Sequence, residues 1–224
     1  MAVKVRPISV LVVDDHRTFA EALAVAIGLE KDMSAGVAWS GLEALRTVER
    51  DHPDVILIDL QMPGLSGIET IRRIRQLHGD AAVVVISAHD DELSRARSVE
   101  AGARGFISKL TPLAEVPGLI RRTRSGETLM EPEETARLLR LLRHRRHQLA
   151  TERQRANRLT PRQIQILQML SDGVPMAKIS EGLSMTPATL RTHVQNILTR
   201  LGVHTKVEAV AVAMRHGKIS AEGR

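Results

Sequence analysis

Short runs of apolar, mostly β-branched residues recur through the first half of the chain, at Val10–Val13, Val55–Ile58, Val83–Ile86 and Gly105–Ile107. Each is followed by a stretch whose apolar positions fall three and four apart. Strands without polar alternation are buried on both faces, so the pattern predicts a β-α-β-α chain with a parallel sheet between two layers of helices. A weaker strand is predicted over Met33–Ala38. From Glu133 to Leu159 there is neither proline nor glycine, and the composition is strongly helix-forming. Leu138, Leu142 and Leu149 make only a partial stripe, too irregular for a coiled coil, so this segment is predicted to be a helical connector whose leucines dock on the first domain or face solvent.

After the connector the helix-start signals are explicit. Thr160-Pro161-Arg162-Gln163 reads as a capping box with proline at the first helical position, and Thr205-Lys206-Val207-Glu208 reads as a second box. Thr186-Pro187 opens a helix expected to run to Leu201, with Gly202 ending it. Gly173-Val174-Pro175 separates the first of these helices from a short one over Met176–Leu183. Four helices joined by tight turns predict an all-α helix-turn-helix domain. In the helix after Thr186, Leu190, Val194, Ile197, Leu198 and Leu201 form one apolar face. Arg191, Thr192, Gln195, Asn196 and Thr199 form the other.

With 224 residues the chain has room for two domains that each bury a core. The boundaries are read as 1–128 for the sheet domain, 129–157 for the connector and 158–224 for the helix-turn-helix domain. Charge sharpens the division. Residues 1–128 carry 16 Lys and Arg against 18 Asp and Glu, whereas residues 129–224 carry 16 against 8. A basic half joined to a mildly acidic one points to a polyanionic partner for the C-terminal part, nucleic acid above all. The polar face around Arg191 suits a major groove, because arginine pairs bidentately with guanine and Gln or Asn with adenine. There is no cysteine, which excludes disulfides and thiolate metal sites. No apolar run approaches the length of a membrane span, and a cytoplasmic protein is expected.

The candidate chemistry of the first half lies where its strands end, as the ligands of open α/β sheets do. Asp14 and Asp15 follow the first run, Asp59 follows the run Val55–Ile58, and Ser87 and Lys109 follow the last two. Three carboxylates converging on one crevice repel one another unless a cation lies among them. An all-oxygen set suits Mg²⁺, so Asp14 and Asp15 are read as metal holders and Asp59 as a nucleophile whose anionic product the ion neutralises. Pro63, Gly64 and Gly67 are expected to form a tight loop beside Asp59.

The segments VVDDH, DVILIDLQMPGLSG, VVISA and GARGFISK, in this order over roughly residues 6–127, resemble the receiver domain of bacterial two-component response regulators. The resemblance implies a doubly wound, five-stranded, flavodoxin-like parallel sheet. It implies that Asp59 takes a phosphoryl group from a sensor histidine kinase and that Asp14, Asp15, Asp59 and the Gln61 carbonyl bind Mg²⁺. It further implies that Lys109 pairs with the phosphoryl group and that Ser87 and Phe106 form a switch pair. Two features depart from the usual pattern: Leu110 stands where proline often follows the lysine, and Pro117-Gly118 falls inside the expected last helix of the domain.

LTPRQIQILQMLSDG, KISEGLSMTPATLRTHVQNILTRLGV and HTKVEAV are similar to the DNA-binding domain of the LuxR/NarL/FixJ type over about residues 158–217. This implies that Arg191, Thr192 and Gln195 read bases and that Lys206 contacts phosphate. Gln195 stands where a basic residue is common, and Lys206 where arginine is common. Together the two resemblances imply a phosphorylation-controlled transcription regulator, not an enzyme, that dimerises when active and binds inverted-repeat DNA. Two readings remain open beside it. One is a regulator whose first domain only dimerises or senses a small molecule. The other is an aspartyl phosphatase, which would need a second acid and a substrate lid that the sequence does not obviously supply.

Overall fold

The computed structural model describes residues 6–88 and 91–220, and the chain divides into two compact units after Arg143. In the first unit, strands and helices alternate as β1 (Ile8–Val13), α1 (Arg17–Gly28), β2 (Met33–Ala38), α2 (Gly41–Asp51), β3 (Val55–Ile58), α3 (Gly67–Leu77), β4 (Ala82–Ser87), α4 (Glu92–Ala101), β5 (Gly105–Ser108) and α5 (Val116–Arg124). The five strands are parallel in the order β2-β1-β3-β4-β5. The chain winds outward in both directions from β1 and β3, so the carboxyl ends of these two strands open a crevice between oppositely directed connections. Alternate strand residues feed two apolar layers. Val10, Val12, Leu57 and Val84 pack against α1 and α5, and Leu11, Val13, Ile58 and Val85 pack against α2 and α3.

Local chemistry sets the helix starts. The hydroxyls of Ser40 and Ser66 accept from the amides of Glu43 and Glu69, and the Asp91 carboxylate accepts from Leu93 and Ser94. Gly67 has a packing role: a Cβ there would lie 2.1 Å from the Asp59 carbonyl oxygen, so only glycine lets α3 start against the backbone of the β3 end. Gly64 lies at φ +78°, a left-handed turn conformation. Pro117 and Gly118 lie inside the last helix of the unit, α5, as the sequence places them. A 3₁₀ turn over Leu113–Glu115 precedes α5, which places Pro117 in the first helical turn, where its missing amide costs no helical hydrogen bond.

The connector forms one helix, α6 (Pro132–Asn157). Within the first unit, Leu138 and Leu142 are buried with Ala96 of α4 and with Met130, so these leucines do dock on the sheet domain. Arg95 on α4 is 2.5 Å from Glu134, and Arg137 pairs with Glu92.

The second unit holds α7 (Pro161–Ser171), α8 (Met176–Gly182), α9 (Pro187–Leu201) and α10 (Lys206–Arg215) around a core that includes Ala156, Ile166, Ile179, Leu190, Ile197 and Ala213. The Thr160–Gln163 capping box is complete, with both reciprocal bonds formed. The second box is shifted. The Thr205 hydroxyl accepts from Glu208 as expected, but the Glu208 carboxylate accepts from the amide of His204, one residue before the expected one.

Candidate phosphoryl-acceptor crevice and nucleic-acid interface

The β1 and β3 ends place Asp14 and Asp59 side by side. The Asp59 amide donates to the Val13 carbonyl at 2.9 Å and the Asp14 amide to the Ala38 carbonyl at 3.1 Å, so both residues continue the sheet by one rung. Asp14 is fully buried and Asp59 is 4% exposed. Buried charges need partners, and Lys109, just past β5, supplies one. Its Nζ donates to Oδ2 of Asp59 at 2.8 Å and lies 2.6 Å from Oδ2 of Asp14. Burial is the strongest single influence on Lys109 and acts against its charge. The contacts to Asp14 and Asp59 together outweigh it and hold the ammonium above the ordinary lysine range.

On the opposite side of the carboxylates, Oδ1 of Asp14 accepts from the backbone amide of His16 at 2.9 Å, and the His16 ring reaches the same oxygen at 3.2 Å. Oδ1 of Asp15 is buried, and no donor among the described residues hydrogen-bonds to it. Ligand atoms of Asp14, Asp15, His16 and Asp59 all lie within 4.8 Å of one another. The carboxylates expected from the sequence therefore converge, and His16, to which the motif reading gave no role, joins them. Its only sequence signal is its place beside the paired acids. Gln61 is adjacent, with its amide donating to Oδ1 of Asp59 at 3.3 Å.

Ser87 ends β4 and Phe106 lies on the neighbouring β5, opposite Val85. Leu60, Ser87, Ser94, Arg95 and Phe106 border a cleft of about 250 Å³. The Phe106 ring is half-buried with the Arg95 guanidinium carbon 4.8 Å above its centre, and that arginine is the one paired with Glu134 of α6. Arg95 carries no signal in the sequence because Phe106 on β5 and Glu134 on α6 are both distant from it along the chain.

In the second unit, α9 buries Leu190, Val194, Ile197 and Leu201 and exposes Arg191, Thr192, Gln195, Asn196 and Thr199, as its periodicity requires. The Thr186 hydroxyl caps it by accepting from the Thr189 amide. Arg191 and Lys206 border one hollow of about 340 Å³ with Met176 and Pro187, which brings the starts of α8, α9 and α10 to one surface. Arg200 is committed to the fold, donating to the Arg158 carbonyl at 2.7 Å and to Oε1 of Gln163 at 3.1 Å. Among the described residues no helix is long and apolar enough to cross a membrane.

An acid-lined crevice at the switch point of a β2-β1-β3-β4-β5 sheet, followed by a basic helix-turn-helix unit, defines the class: a receiver domain joined to a DNA-binding domain. Residues 10–121 match the response regulator receiver domain family, and residues 157–213 match the luxR family of bacterial regulatory proteins. The chain is 32% identical over 210 residues to the transcriptional regulatory protein LiaR of Bacillus subtilis, covering 93% of this chain and 98% of that one. It is 33% identical over 218 residues to the response regulator GacA of Pseudomonas syringae, covering 96% and 99%. It is 29% identical over 204 residues to the nitrate/nitrite response regulator NarL of Escherichia coli, covering 91% and 93%. Among solved structures, the response regulator ChrA of a heme-sensing two-component system aligns with a TM-score of 0.51 at 27% identity, over 95% of this chain and 99% of that one. The chain belongs to the response-regulator family and is a transcriptional regulator with a receiver domain and a LuxR-type DNA-binding domain.

Proposed function

We propose that Asp59 is the phosphoryl acceptor of this regulator, that a sensor histidine kinase is its donor, and that phosphorylation raises the affinity of the second unit for DNA. The observation that carries this reading is the placement of Asp59: almost fully buried, 2.8 Å from the Lys109 ammonium and within ligand distance of Asp14 and Asp15. The carboxylate attacks the phosphorus of a phosphohistidine, a P–O bond forms as the P–N bond breaks, and the leaving imidazole keeps the electron pair. Lys109 is a flexible point charge, and it passes from the Asp59 carboxylate to an oxygen of the new acyl phosphate.

The donor set fits Mg²⁺. Asp14, Asp15 and Asp59, with the Gln61 carbonyl, supply hard oxygens, and no donor among the described residues hydrogen-bonds to the buried Oδ1 of Asp15. A bound Mg²⁺ supplies charge neutralisation and orientation of the phosphoryl oxygens.

Ser87 and Phe106 act as the switch. The Ser87 hydroxyl donates to a phosphoryl oxygen, and Phe106 moves into the cleft it borders, leaving Arg95 and loosening the Arg95–Glu134 contact with α6. This shifts the population toward a dimeric, DNA-competent form. In that form Arg191, Thr192 and Gln195 of each copy read one half of an inverted repeat, and Lys206 takes a phosphate. The site of action is the cytoplasm. The test is Asp59→Asn treated with a small-molecule phosphodonor and Mg²⁺. Labelling is lost if Asp59 is the acceptor, and labelling at the wild-type level refutes the assignment.

A further inference from the structure

The acid crevice contains a nitrogen donor that an Mg²⁺ site does not need. We propose that His16 is an additional metal ligand, so that this crevice takes imidazole-preferring first-row divalent cations, such as Ni²⁺ and Co²⁺, in competition with Mg²⁺. The inference rests on the assignment of Asp14, Asp15 and Asp59 as the cation site.

Geometry carries the argument. Nδ1 of His16 lies 3.2 Å from Oδ1 of Asp14 and 3.4 Å from Oδ1 of Asp15. Neighbouring ligands of an octahedral ion with bonds of about 2.1–2.4 Å are separated by about 3.0–3.4 Å, and opposite ligands by about 4.2–4.8 Å. The donor atoms of Asp14, Asp15, His16 and Asp59 fall within 4.8 Å of one another, the span of one such coordination sphere. Division of labour around the carboxylates leaves this side clear of Lys109. Lys109 takes Oδ2 of Asp14 and Oδ2 of Asp59, whereas the imidazole stands at Oδ1 of Asp14 and at the buried Oδ1 of Asp15, to which no described donor hydrogen-bonds. The His16 side chain is 71% exposed, so an incoming ion meets it before the buried acids.

Ligand chemistry then fixes which ions gain. Imidazole adds little to Mg²⁺, which prefers oxygen and keeps its waters, but it adds substantially to Co²⁺ and Ni²⁺ along the usual order of divalent affinities. These ions bind the carboxylates and His16 together and displace Mg²⁺ from the crevice. A purely orienting role for His16 makes a different prediction. The backbone amide of residue 16 already holds Oδ1 of Asp14 at 2.9 Å, and any effect of the ring on carboxylate position would alter all divalent ions alike.

Trp39 is the single tryptophan, the chain has no tyrosine, and Trp39 directly follows Ala38, whose carbonyl accepts from the Asp14 amide. Its emission therefore reports on the crevice it adjoins. Ni²⁺ and Mg²⁺ are titrated separately into the full chain without phosphodonor, in the wild type, His16→Ala and Asp15→Asn. The expected result is a Kd for Ni²⁺ at least about tenfold weaker in His16→Ala, with the Kd for Mg²⁺ within about twofold of the wild type. An unchanged Ni²⁺ affinity, or equal weakening of both ions, overturns the role of His16 as a ligand. Wild-type binding of both ions by Asp15→Asn overturns instead the cation-site assignment on which the proposal rests.

Discussion

Lys109 decides how stable the acid crevice is. Its ammonium pairs with two buried carboxylates, offsetting one of their two charges, that would otherwise face each other and Asp15 uncompensated. Lys109→Met should cost on the order of 3 kcal/mol in EDTA, because it leaves uncompensated buried charge. Mg²⁺ should raise the thermal midpoint of this variant more than that of the wild type, since the ion replaces the missing cation. Equal Mg²⁺ responses in a thermal melt would refute that electrostatic account. A second titratable contact supports the C-terminal unit. Burial pushes the Glu152 carboxyl up more than any other single influence, but Arg215 at 2.7 Å and His216 at 3.4 Å together hold it below the ordinary glutamate value. A carboxyl lowered in the folded state contributes stability above its unfolded pKa and loses it as pH falls through the folded one. Glu152→Gln should therefore narrow the difference in stability between pH 7 and pH 3, as measured by chemical denaturation.

At the scale of elements, what the sequence made legible was whatever depends on local periodicity and capping. Val55–Ile58 and Met33–Ala38 are strands over those residues, and α9 begins after Thr186 and ends before Gly202. These features arise from side chains a few positions apart, which a linear pattern records. The crevice was legible for the related reason that Asp14 and Asp59 directly follow apolar runs and Asp15 comes next to Asp14. That α5 begins only one residue before Pro117 was not legible because the 3₁₀ turn before it leaves no periodic trace, and the Glu208 bond falls one residue earlier than a capping box predicts because the loop before Thr205 sets which amide faces the carboxylate. The docking of α6 on α4 is not readable from local pattern. Leu138 and Leu142 show an apolar stripe, but nothing local names Ala96 and Met130 as its partners. That contact has a measurable worth. Leu138→Ala removes a side chain with no solvent exposure and should cost about 2–5 kcal/mol in receiver stability, whereas Leu149→Ala, at a half-buried position on an otherwise exposed stretch of the same helix, should cost much less. Equal losses in denaturant melts would show that the leucine stripe does not dock as described.

At the scale of the whole molecule, the partition of charge separates a signalling unit from a polyanion-binding one. Lys206→Ala should lower the slope of log affinity against log salt by about one per copy bound, with little change in sequence preference. Arg191→Ala should cost about 1–3 kcal/mol on the cognate site and relax discrimination at one base position. The central claim is that chemistry at Asp59 controls what α9 does. The direct measurement is DNA affinity at one fixed salt concentration, with and without phosphodonor and Mg²⁺, for the wild type and Asp59→Asn side by side. Phosphodonor should tighten binding by the wild type at least about tenfold, a shift of about 1.4 kcal/mol, and leave Asp59→Asn unchanged. Wild-type affinity that ignores the phosphodonor, or an Asp59→Asn variant that responds as the wild type does, contradicts the account.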